Sequence, residues 1–505
     1  MSIETLLFRA DASAAMGTGH VMRCIALAQA WKDAGGNAVF AMAQSTESIR
    51  RRVANESCDI LVVPFAMGSE EDLRHTIALA QKHNCEWVVV DGYQFDADYQ
   101  SGLKAVALKV VFLDDYGHSQ HYSADVVLNQ NLSASPALYP NRESQTRLIL
   151  GPRYALLRRE FNAWGNWERT IFPNCRRVLV TMGGSDERNV TATIIKGLCL
   201  SAIEDLEATV LVGGSNPYVK ELQYIAAQSS IKIRLLRDIS NVGELMASAD
   251  VAISAAGTTC WELCLLGLPS VLIDVADNQT AVAKELHSRG CAIHIGRDIA
   301  PEAVAENIKR LFNDYELRQS LSRCSRELVD GKGASRVVSV LRGVSCLHLR
   351  IAEENDRRLL WEWANDPEVR ACSFSPDPIP WETHVAWFNG KLSLQRTPRP
   401  RSVMFIAEDE SGTPLGQIRF DLRFDGEWEV GVSLDKKVRG QGLAAQLIES
   451  GVQQMLTSNR RARIHAFIKP ENITSLKAFQ RAAFRKADRD QVQGRAAIHL
   501  TYELK

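Results

Sequence analysis

The sequence contains no apolar run that approaches the roughly 20 residues of a membrane-spanning helix. Its first residues, MSIETLLFRAD, have no basic stretch followed by a long apolar core, so we expect a cytoplasmic protein. Neither sign of charge dominates, because 59 Lys and Arg residues face 60 Asp and Glu residues, for a formal net charge of -1. This balance disfavours nucleic acid or an anionic membrane as the main partner and favours a small substrate.

Paired Cys-x-x-Cys motifs are also absent, although the chain has 11 cysteines. Cys260 and Cys264 lie four residues apart on a predicted helix without a second ligand pair, which favours buried thiols over zinc. We therefore expect no bound metal. The length of 505 residues exceeds one ordinary core and indicates about three domains.

Two patterns of secondary structure follow one another along the chain. Up to about residue 343, short β-branched runs alternate with longer amphipathic segments, which predicts parallel sheets with helical crossovers. After residue 347 the strands follow one another across short turns, which predicts antiparallel pairing. The predicted class is α/β, with two doubly wound Rossmann-like domains at 1–160 and 161–343, followed by an α+β domain at 347–505.

A loop after the first predicted strand combines glycine, charge and imidazole. Gly17 and Gly19 allow a tight turn, and His20 and Arg23 open the apolar run that reads as a helix. A dinucleotide-binding Gly-x-Gly-x-x-Gly motif would need glycine in place of Met22, so the spacing does not imply NAD. The loop is interpreted as an active-site loop, with a structural turn as the alternative.

Glycines also follow two strands of the second series. Gly183 and Gly184 close the run RRVLVTMGG, and residues 254–259 read SAAGTT. Either turn can present backbone N–H groups to a diphosphate, although each alone is equally consistent with an ordinary loop.

Several of these motifs occur together in one known family. Along the chain we find, in order, RADAS, GTGHVMRC, VVVDGY, LDDYG, GPRYALLR, TMGGSD and SAAGTTCWELCLLGLPSVLI, followed by DNQ, within a match that covers residues 5–340. They resemble the nucleotide-sugar hydrolases of pseudaminic-acid biosynthesis, which are similar to GT-B glycosyltransferases but use water in place of the acceptor. The resemblance implies hydrolysis of UDP-2,4-diacetamido-2,4,6-trideoxy-β-L-altropyranose to UDP and the free sugar.

The same resemblance suggests roles for individual residues. His20 falls on the catalytic histidine that deprotonates water, and Asp11 is our candidate for orienting it. Backbone N–H groups of Gly257, Thr258 and Thr259 fit the diphosphate, and Glu262 would accept hydrogen bonds from the ribose. The other expected substrate contacts are Gly19, Arg23, Tyr93, Tyr154, Arg158, Gly183, Gly184, Asn278 and Gln279. For Tyr93, Tyr154 and Arg158, packing is as good an interpretation as contact.

The last domain contains a second anion-binding pattern. Residues 438–444 read VRGQGLA before an apolar helix, which satisfies Arg-x-x-Gly-x-Ala and resembles the pyrophosphate loop of GNAT acetyltransferases. The resemblance implies acetyl-CoA as co-substrate and strand 429–434 along the pantetheine. Glu429 is our own candidate for removing a proton from the amine, directly or through water, with a solvated strand glutamate as an equally good interpretation. The expected cofactor contacts are Arg439, Gly440, Gln441, Gly442, Leu443, Ala444, Asn472 and Ser475.

Two positions depart from the GNAT pattern. Phe479 stands where many members have a tyrosine general acid, and Ala483 and Phe484 stand for a Gly-Phe pair. Phenylalanine donates no proton to the departing thiolate, so another group or water does so, or the chemistry is weakened. The fusion itself implies acetylation of the 4-amino group of UDP-4-amino-4,6-dideoxy-N-acetyl-β-L-altrosamine, followed by hydrolysis.

Three alternatives remain open on the sequence alone. In the first alternative, the same chemistry acts on a related nonulosonate precursor or uses another acyl donor. The chain is a nucleotide-sugar-binding protein with an inactive GNAT domain, an interpretation that Phe479 favours. The first two domains form a transferase with an organic acceptor, as the GT-B resemblance allows.

Overall fold

The computed structural model describes residues 4–13, 16–237, 239, 241–343, 347–397, 399–409, 412–424, 426–440, 442–458 and 463–503. The chain forms two compact units, Met1–Arg342 and Gly343–Lys505. No helix in these described segments is both long enough and apolar enough to cross a bilayer.

The first unit begins with a seven-stranded parallel sheet. Its strands are β1 (Thr5–Ala10), β2 (Asn37–Met42), β3 (Asp59–Val62), β4 (Cys85–Asp91), β5 (Lys109–Leu113), β6 (Val126–Asn129) and β7 (Arg147–Leu150). The helices between them are α1 (Gly19–Asp33), α2 (Glu47–Asn55), α3 (Glu70–Lys82) and α4 (Ala97–Ala105). The strand order is β3-β2-β1-β4-β5-β6-β7. Apolar cores cover both faces of this sheet, as parallel strands require.

The second half of this unit is a six-stranded parallel sheet of order β10-β9-β8-β11-β12-β13. Its strands are β8 (Arg177–Thr181), β9 (Glu207–Val212), β10 (Lys232–Arg237), β11 (Val251–Ala255), β12 (Ser270–Ile273) and β13 (Ile293–His294). Its helices are α5 (Val190–Leu200), α6 (Val219–Ala227), α7 (Val242–Ser248), α8 (Thr259–Leu265), α9 (Thr280–Ser288), α10 (Pro301–Asn313), α11 (Tyr315–Arg326) and α12 (Gly333–Leu341).

Helix α12 packs on the first sheet although it follows the second in sequence. Ala334, Val337 and Leu341 share a core with Trp31 of α1. Gly333 permits the approach, because a Cβ there would lie 2.2 Å from the carbonyl oxygen of Ala155. The expected division at residue 343 assigns α12 to the second half, whereas its apolar face is buried against the first.

Both parallel sheets have a point where the strand order reverses. β1 lies between β2 and β4, and β8 lies between β9 and β11. At such a point, the crossover connections leave two adjacent strands in opposite directions, which opens a crevice beyond the carboxyl ends of these strands. Ligands of doubly wound sheets bind in this crevice. The loops after β1 and β4, and those after β8 and β11, are therefore placed to form sites.

The second unit is built on one sheet of order β14-β15-β16-β17-β18-β20-β19. Its strands are β14 (His348–Ile351), β15 (Ser402–Glu408), β16 (Pro414–Leu422), β17 (Trp428–Leu434), β18 (Ile464–Ile468), β19 (Arg485–Val492) and β20 (Arg495–Tyr502). Its helices are α13 (Arg357–Ala364), α14 (Pro367–Cys372), α15 (Trp381–Gln395), α16 (Leu443–Ser458) and α17 (Ile473–Arg481). All pairs are antiparallel except β17 with β18. The predicted class, two doubly wound sheets followed by an α+β domain, is confirmed.

Ala483 ends helix α17 in a left-handed conformation. Its φ is 63°, a region that costs an L-residue about 1 kcal/mol relative to glycine. We expect Ala483→Gly to raise the free energy of unfolding of this segment by about 0.5–1 kcal/mol. The neighbouring Ala482 has φ of -79° and is 2% exposed, so Ala482→Gly should lower it. Hydrogen exchange of peptides from residues 463–503 measures both changes, and a loss of protection in Ala483→Gly would contradict the expectation.

Candidate active sites

His20 lies at the carboxyl end of β1, in the first turn of α1. Gly17 precedes it with φ of 80°, and its N–H donates to the carbonyl oxygen of Ser13 at 2.9 Å, so the loop turns back before the helix starts. Nδ1 of His20 lies 2.6 Å from Oδ1 of Asp91, the last residue of β4. A carboxylate only accepts hydrogen bonds, so Nδ1 carries the proton and Nε2 keeps its lone pair. His20 is therefore oriented as a base.

Arg23 fixes the same carboxylate from the next turn of α1. Its Nε and Nη2 donate to Asp91 at 2.6 Å each, and its Nη1 donates to Asp115 at 2.7 Å. Burial alone would raise the pKa of Asp91, but the Arg23 charge, the His20 ring and their hydrogen bonds hold it well below its usual range. Asp91 is therefore charged at neutral pH. Arg23 lines the cleft, and its guanidinium binds two carboxylates, so it positions Asp91 and Asp115. Its contact with a substrate stays a prediction.

Asp11 does not contact His20, which corrects the expected pairing. Its Oδ2 accepts from Arg9 at 2.5 Å, and its Oδ1 accepts from the N–H groups of Ala43 and Gln44 at 2.6 and 2.8 Å. Arg9 in turn pairs with the buried Asp72. Asp11 therefore ties β1 to the loop after β2.

Tyr93 links His20 to the opposite half of the unit. Its ring meets the His20 ring edge-on with centroids 5.1 Å apart, and its hydroxyl donates to Asp115 at 2.7 Å. Nδ2 of Asn278, from the second half, donates to that hydroxyl at 2.7 Å. Burial and the charge of Asp115 raise the pKa of Tyr93, so the phenol stays neutral. The bond between Tyr93 and Asn278 crosses from one half to the other.

Glycine-rich turns of the second half face His20. Gly183, with φ of 81°, and Gly184 follow β8, and residues 257–259 follow β11. A Cβ on Gly184 would lie 2.8 Å from Oγ1 of Thr18, so only glycine permits this approach of the halves. Gln279 holds the adjacent loop by accepting from the Val275 N–H at 3.1 Å.

Glu262, on α8, has one carboxylate oxygen engaged. Nη2 of Arg158 donates to its Oε1 at 2.9 Å, and Nη1 of Arg158 lies 3.2 Å from Oε1 of Glu160. Arg158 is 7% exposed, so it holds Glu262 in place while the second oxygen stays open to a ligand.

One cleft of about 450 Å³ joins these groups. The predicted residues that line it are Gly19, His20, Arg23, Arg158, Gly183, Gly184, Gly257, Thr258, Thr259, Glu262, Asn278 and Gln279. Tyr154 corrects the expectation, because its side chain is buried in the core with α1 and α12, away from the cleft. Within the described residues, no group of three or more His, Cys, Asp or Glu side chains is placed to hold a metal ion.

The anion loop of the second unit has the backbone that its glycines predict. Gly440 and Gly442 have φ of 79° and 80°, and α16 begins at Leu443 and Ala444. The side chain of Arg439 pairs with Asp366 and Glu368 at 2.8 Å each and donates to the Leu434 carbonyl. These bonds hold the residue that precedes the glycine loop, and its contact with a cofactor stays a prediction. Gln441 lies outside the described residues.

The remaining residues singled out in the second unit lie in three different surroundings. Asn472 caps α17 by accepting from the Ser475 N–H at 3.1 Å, so both are at a helix start. Phe479 is 3% exposed and packs edge-on against Phe484. Glu429 is about half exposed on β17, 3.9 Å from Arg423.

Asp91 and Asp115 hold His20 and Arg23 at the candidate site, and our sequence interpretation did not select them. Both lie in quoted motifs, VVVDGY and LDDYG, at the carboxyl ends of β4 and β5. Acidic residues that end two adjacent parallel strands are the signal that would have identified them.

Asp91→Asn tests how the histidine is held. An amide in place of the carboxylate lets Nδ1 of His20 lose its proton to Nε2, because the amide N–H₂ can donate to the ring. We expect the ¹⁵N spectrum of neutral His20 to show the Nδ1–H tautomer in the wild type and a mixture in the variant. The resonances are assigned by their absence in His20→Gln. An unchanged tautomer in Asp91→Asn would contradict the geometry.

Comparison with known proteins supports the two-part architecture. Residues 177–337 match the glycosyltransferase family 28 C-terminal domain, and residues 347–485 match the acetyltransferase (GNAT) domain. The two matches fall on different parts of the chain. The family 28 match covers the half that bears Gly183, Gly184 and Glu262, and the GNAT match covers the anion loop.

Three relatives extend this finding. The chain is 27% identical over 289 residues to the UDP-2,4-diacetamido-2,4,6-trideoxy-β-L-altropyranose hydrolase of Campylobacter jejuni, covering 56% of this chain and 97% of that protein. It is 26% identical to the spore coat polysaccharide biosynthesis protein SpsG of Bacillus subtilis, covering 66% and 96%. An uncharacterised protein of Methanocaldococcus jannaschii is 23% identical over 94% of this chain and 96% of its own length. The first unit is therefore similar to a UDP-altropyranose hydrolase, and the second unit is similar to GNAT acetyltransferases.

Proposed function

We propose that the first unit hydrolyses a UDP-linked diacetamido sugar, and that the second unit acetylates its amino precursor. The substrate favoured for hydrolysis is UDP-2,4-diacetamido-2,4,6-trideoxy-β-L-altropyranose, which the Campylobacter relative names. The acceptor proposed for acetyl-CoA is the 4-amino group of UDP-4-amino-4,6-dideoxy-N-acetyl-β-L-altrosamine. Acetylation would come first, because its product is the substrate of the hydrolysis.

The observation that carries the hydrolase proposal is the pair of His20 and Asp91, 2.6 Å apart at the switch point of the first sheet. Nε2 of His20 takes a proton from water as its oxygen attacks the anomeric carbon. The Asp91 carboxylate stabilises the positive charge that the ring acquires. General base assistance of this kind contributes about 10²- to 10⁴-fold to the rate.

The opposite half is proposed to hold the leaving group. Departure of UDP adds negative charge to the diphosphate, and backbone N–H groups of residues 257–259 are preorganised to accept it. The open carboxylate oxygen of Glu262 suits a ribose hydroxyl. Asn278 and Gln279 are proposed to contact the sugar, with Tyr93 holding Asn278 in place.

The acetyl-transfer proposal rests on the loop of Gly440 and Gly442 at the start of α16. Gly440 and Gly442 both have positive φ next to the start of a helix, which is the kind of backbone that binds anions, and the pyrophosphate of coenzyme A is proposed to bind there. The pantetheine arm is proposed to lie along β17. Acetyl-CoA supplies the acyl group as a co-substrate.

The buried ring of Phe479 favours one second candidate for this unit, which is binding of acetyl-CoA without transfer. Calorimetry and a transfer assay with the UDP-4-amino sugar separate the two. Binding without acetylated product would favour the second candidate, and acetylated product would exclude it.

His20→Ala tests the hydrolytic base. We expect the variant to bind the UDP-sugar with an affinity close to that of the wild type and to release UDP at least about 10²-fold more slowly. Calorimetry measures the binding, and a coupled UDP assay measures the release. His83→Ala, at the end of α3 and outside the cleft, is the matched control and should turn over normally. Normal turnover by His20→Ala would contradict the assignment.

Glu262→Gln tests the nucleotide site. The neutral amide weakens the hydrogen bonds to the ribose and removes the charge that pairs with Arg158, so we expect UDP to bind about 10-fold more weakly. Titration calorimetry with UDP alone measures this, which makes the result independent of the sugar. Glu306→Gln, exposed on α10, is the matched control. Equal UDP affinity in both variants would overturn the ribose role.

A further inference from the structure

Glu427, His465 and His499 form a hydrogen-bonded row across the sheet of the second unit. Nδ1 of His465 lies 2.7 Å from Nε2 of His499, and Nε2 of His465 bonds to Oε2 of Glu427. His465 is 5% exposed, and the ring of Phe467 stacks on His499 with centroids 4.7 Å apart. The rings are therefore held by packing as well as by hydrogen bonds.

The bonding pattern assigns the protons of the row. The Glu427 carboxylate only accepts, so Nε2 of His465 carries a proton. Nδ1 of a neutral His465 then accepts, which makes Nε2 of His499 the donor. Nδ1 of His499 takes no part in these bonds and keeps its lone pair. The row has the same order as a carboxylate, histidine and base relay, with its basic end on His499.

The row lies where two strands separate. Across the described residues of β17 and β18, pairing is confined to Trp428 with Ile464 and Glu429 with His465. Beyond His465 the strands continue to Leu434 and Ile468 without further pairing between them. Phe467 and His499 are paired in the β18–β20 ladder, so they share a face with His465, two residues away. His499 is thus beside the opening of the gap along which the pantetheine arm is proposed to lie.

We propose that His499 is the base that deprotonates the acceptor amine in acetyl transfer, with His465 and Glu427 as positioning residues. This inference rests on the acetyltransferase function proposed above. The amine nitrogen forms the bond to the thioester carbonyl carbon, and the carbon–sulfur bond breaks. The amine proton moves to Nδ1 of His499, and coenzyme A leaves as the thiolate, which takes a proton from solvent.

The surroundings of His499 suit a base that works near neutral pH. The ionisable groups that face the row are Arg423, Glu427, Glu429, Arg463, Asp490 and Glu503. Burial lowers the pKa of His499, as do His465, Arg423 and Arg463, while Asp490 opposes them. The ring is therefore unprotonated at neutral pH, and kcat should fall as the pH drops and Nδ1 takes a proton from solvent.

The test compares pH profiles of kcat in the full chain, with the UDP-4-amino sugar and acetyl-CoA as substrates. His499→Gln should lower kcat about 10²- to 10³-fold and abolish the fall of kcat at low pH that the histidine causes. The KM for acetyl-CoA should stay within about 2-fold of the wild-type value. Glu427→Gln keeps an acceptor for His465 but removes a negative charge that favours the protonated ring. The fall of kcat in this variant should therefore occur at lower pH than in the wild type. Release of UDP by the first unit and binding of coenzyme A check the fold of each variant.

Each outcome has one meaning. If His499→Gln keeps both the wild-type kcat and the fall of kcat at low pH, the proposal is overturned. It is also overturned if Glu429→Gln abolishes that fall while His499→Gln keeps it. If His499→Gln does not bind coenzyme A, the pH profile of Glu427→Gln decides the question. In that case, an unchanged midpoint for the fall of kcat at low pH overturns the proposed role of the row. A wild-type chain that binds coenzyme A but acetylates no amino sugar would overturn the acetyltransferase function, and the role of His499 with it.

Discussion

The candidate site of the first unit depends on the pairing of the buried Asp91 carboxylate with Arg23 and His20. A charge without solvent must be paired, and Asp91 is paired by Arg23 on one side and His20 on the other. Arg23 also binds Asp115, which accepts from Tyr93, which accepts from Asn278 of the second half. One ion pair at the end of β4 thus orients the candidate base and extends to the contact between the two halves.

The two sheets place complementary chemistry at equivalent positions. The switch point of the first sheet presents His20 and Asp91, and that of the second presents Gly184 and residues 257–259. A base on one side and backbone donors on the other are what hydrolysis of a sugar diphosphate needs, since proton removal and charge departure occur at opposite ends of the reacting bond. The second unit adds a separate row of histidines beside its own strand gap.

Sequence reasoning succeeded where the signal is local. The positive φ of Gly440 and Gly442 and the start of α16 follow from a few adjacent residues, as does the turn before His20. It failed for Asp11 because closeness in sequence does not fix hydrogen-bond partners, and Asp11 binds Arg9 and the loop after β2 instead. Asp91 is 71 residues from His20, and only the adjacency of β1 and β4 brings it there. The row of His465 and His499 depends in the same way on the pairing of β18 with β20, which no local pattern predicts.

The central claim is that water held by His20 attacks the anomeric carbon, and ¹⁸O-labelled water tests it most directly. The pure protein is incubated with acetyl-CoA and the UDP-4-amino sugar in labelled water, and the products are followed by mass spectrometry and NMR. The account predicts that free diacetamido sugar, coenzyme A and UDP are formed. The UDP should carry no label, because the bond that breaks joins the anomeric carbon to the oxygen of the diphosphate. Label in the β-phosphate of UDP, which attack at phosphorus would introduce, would contradict it.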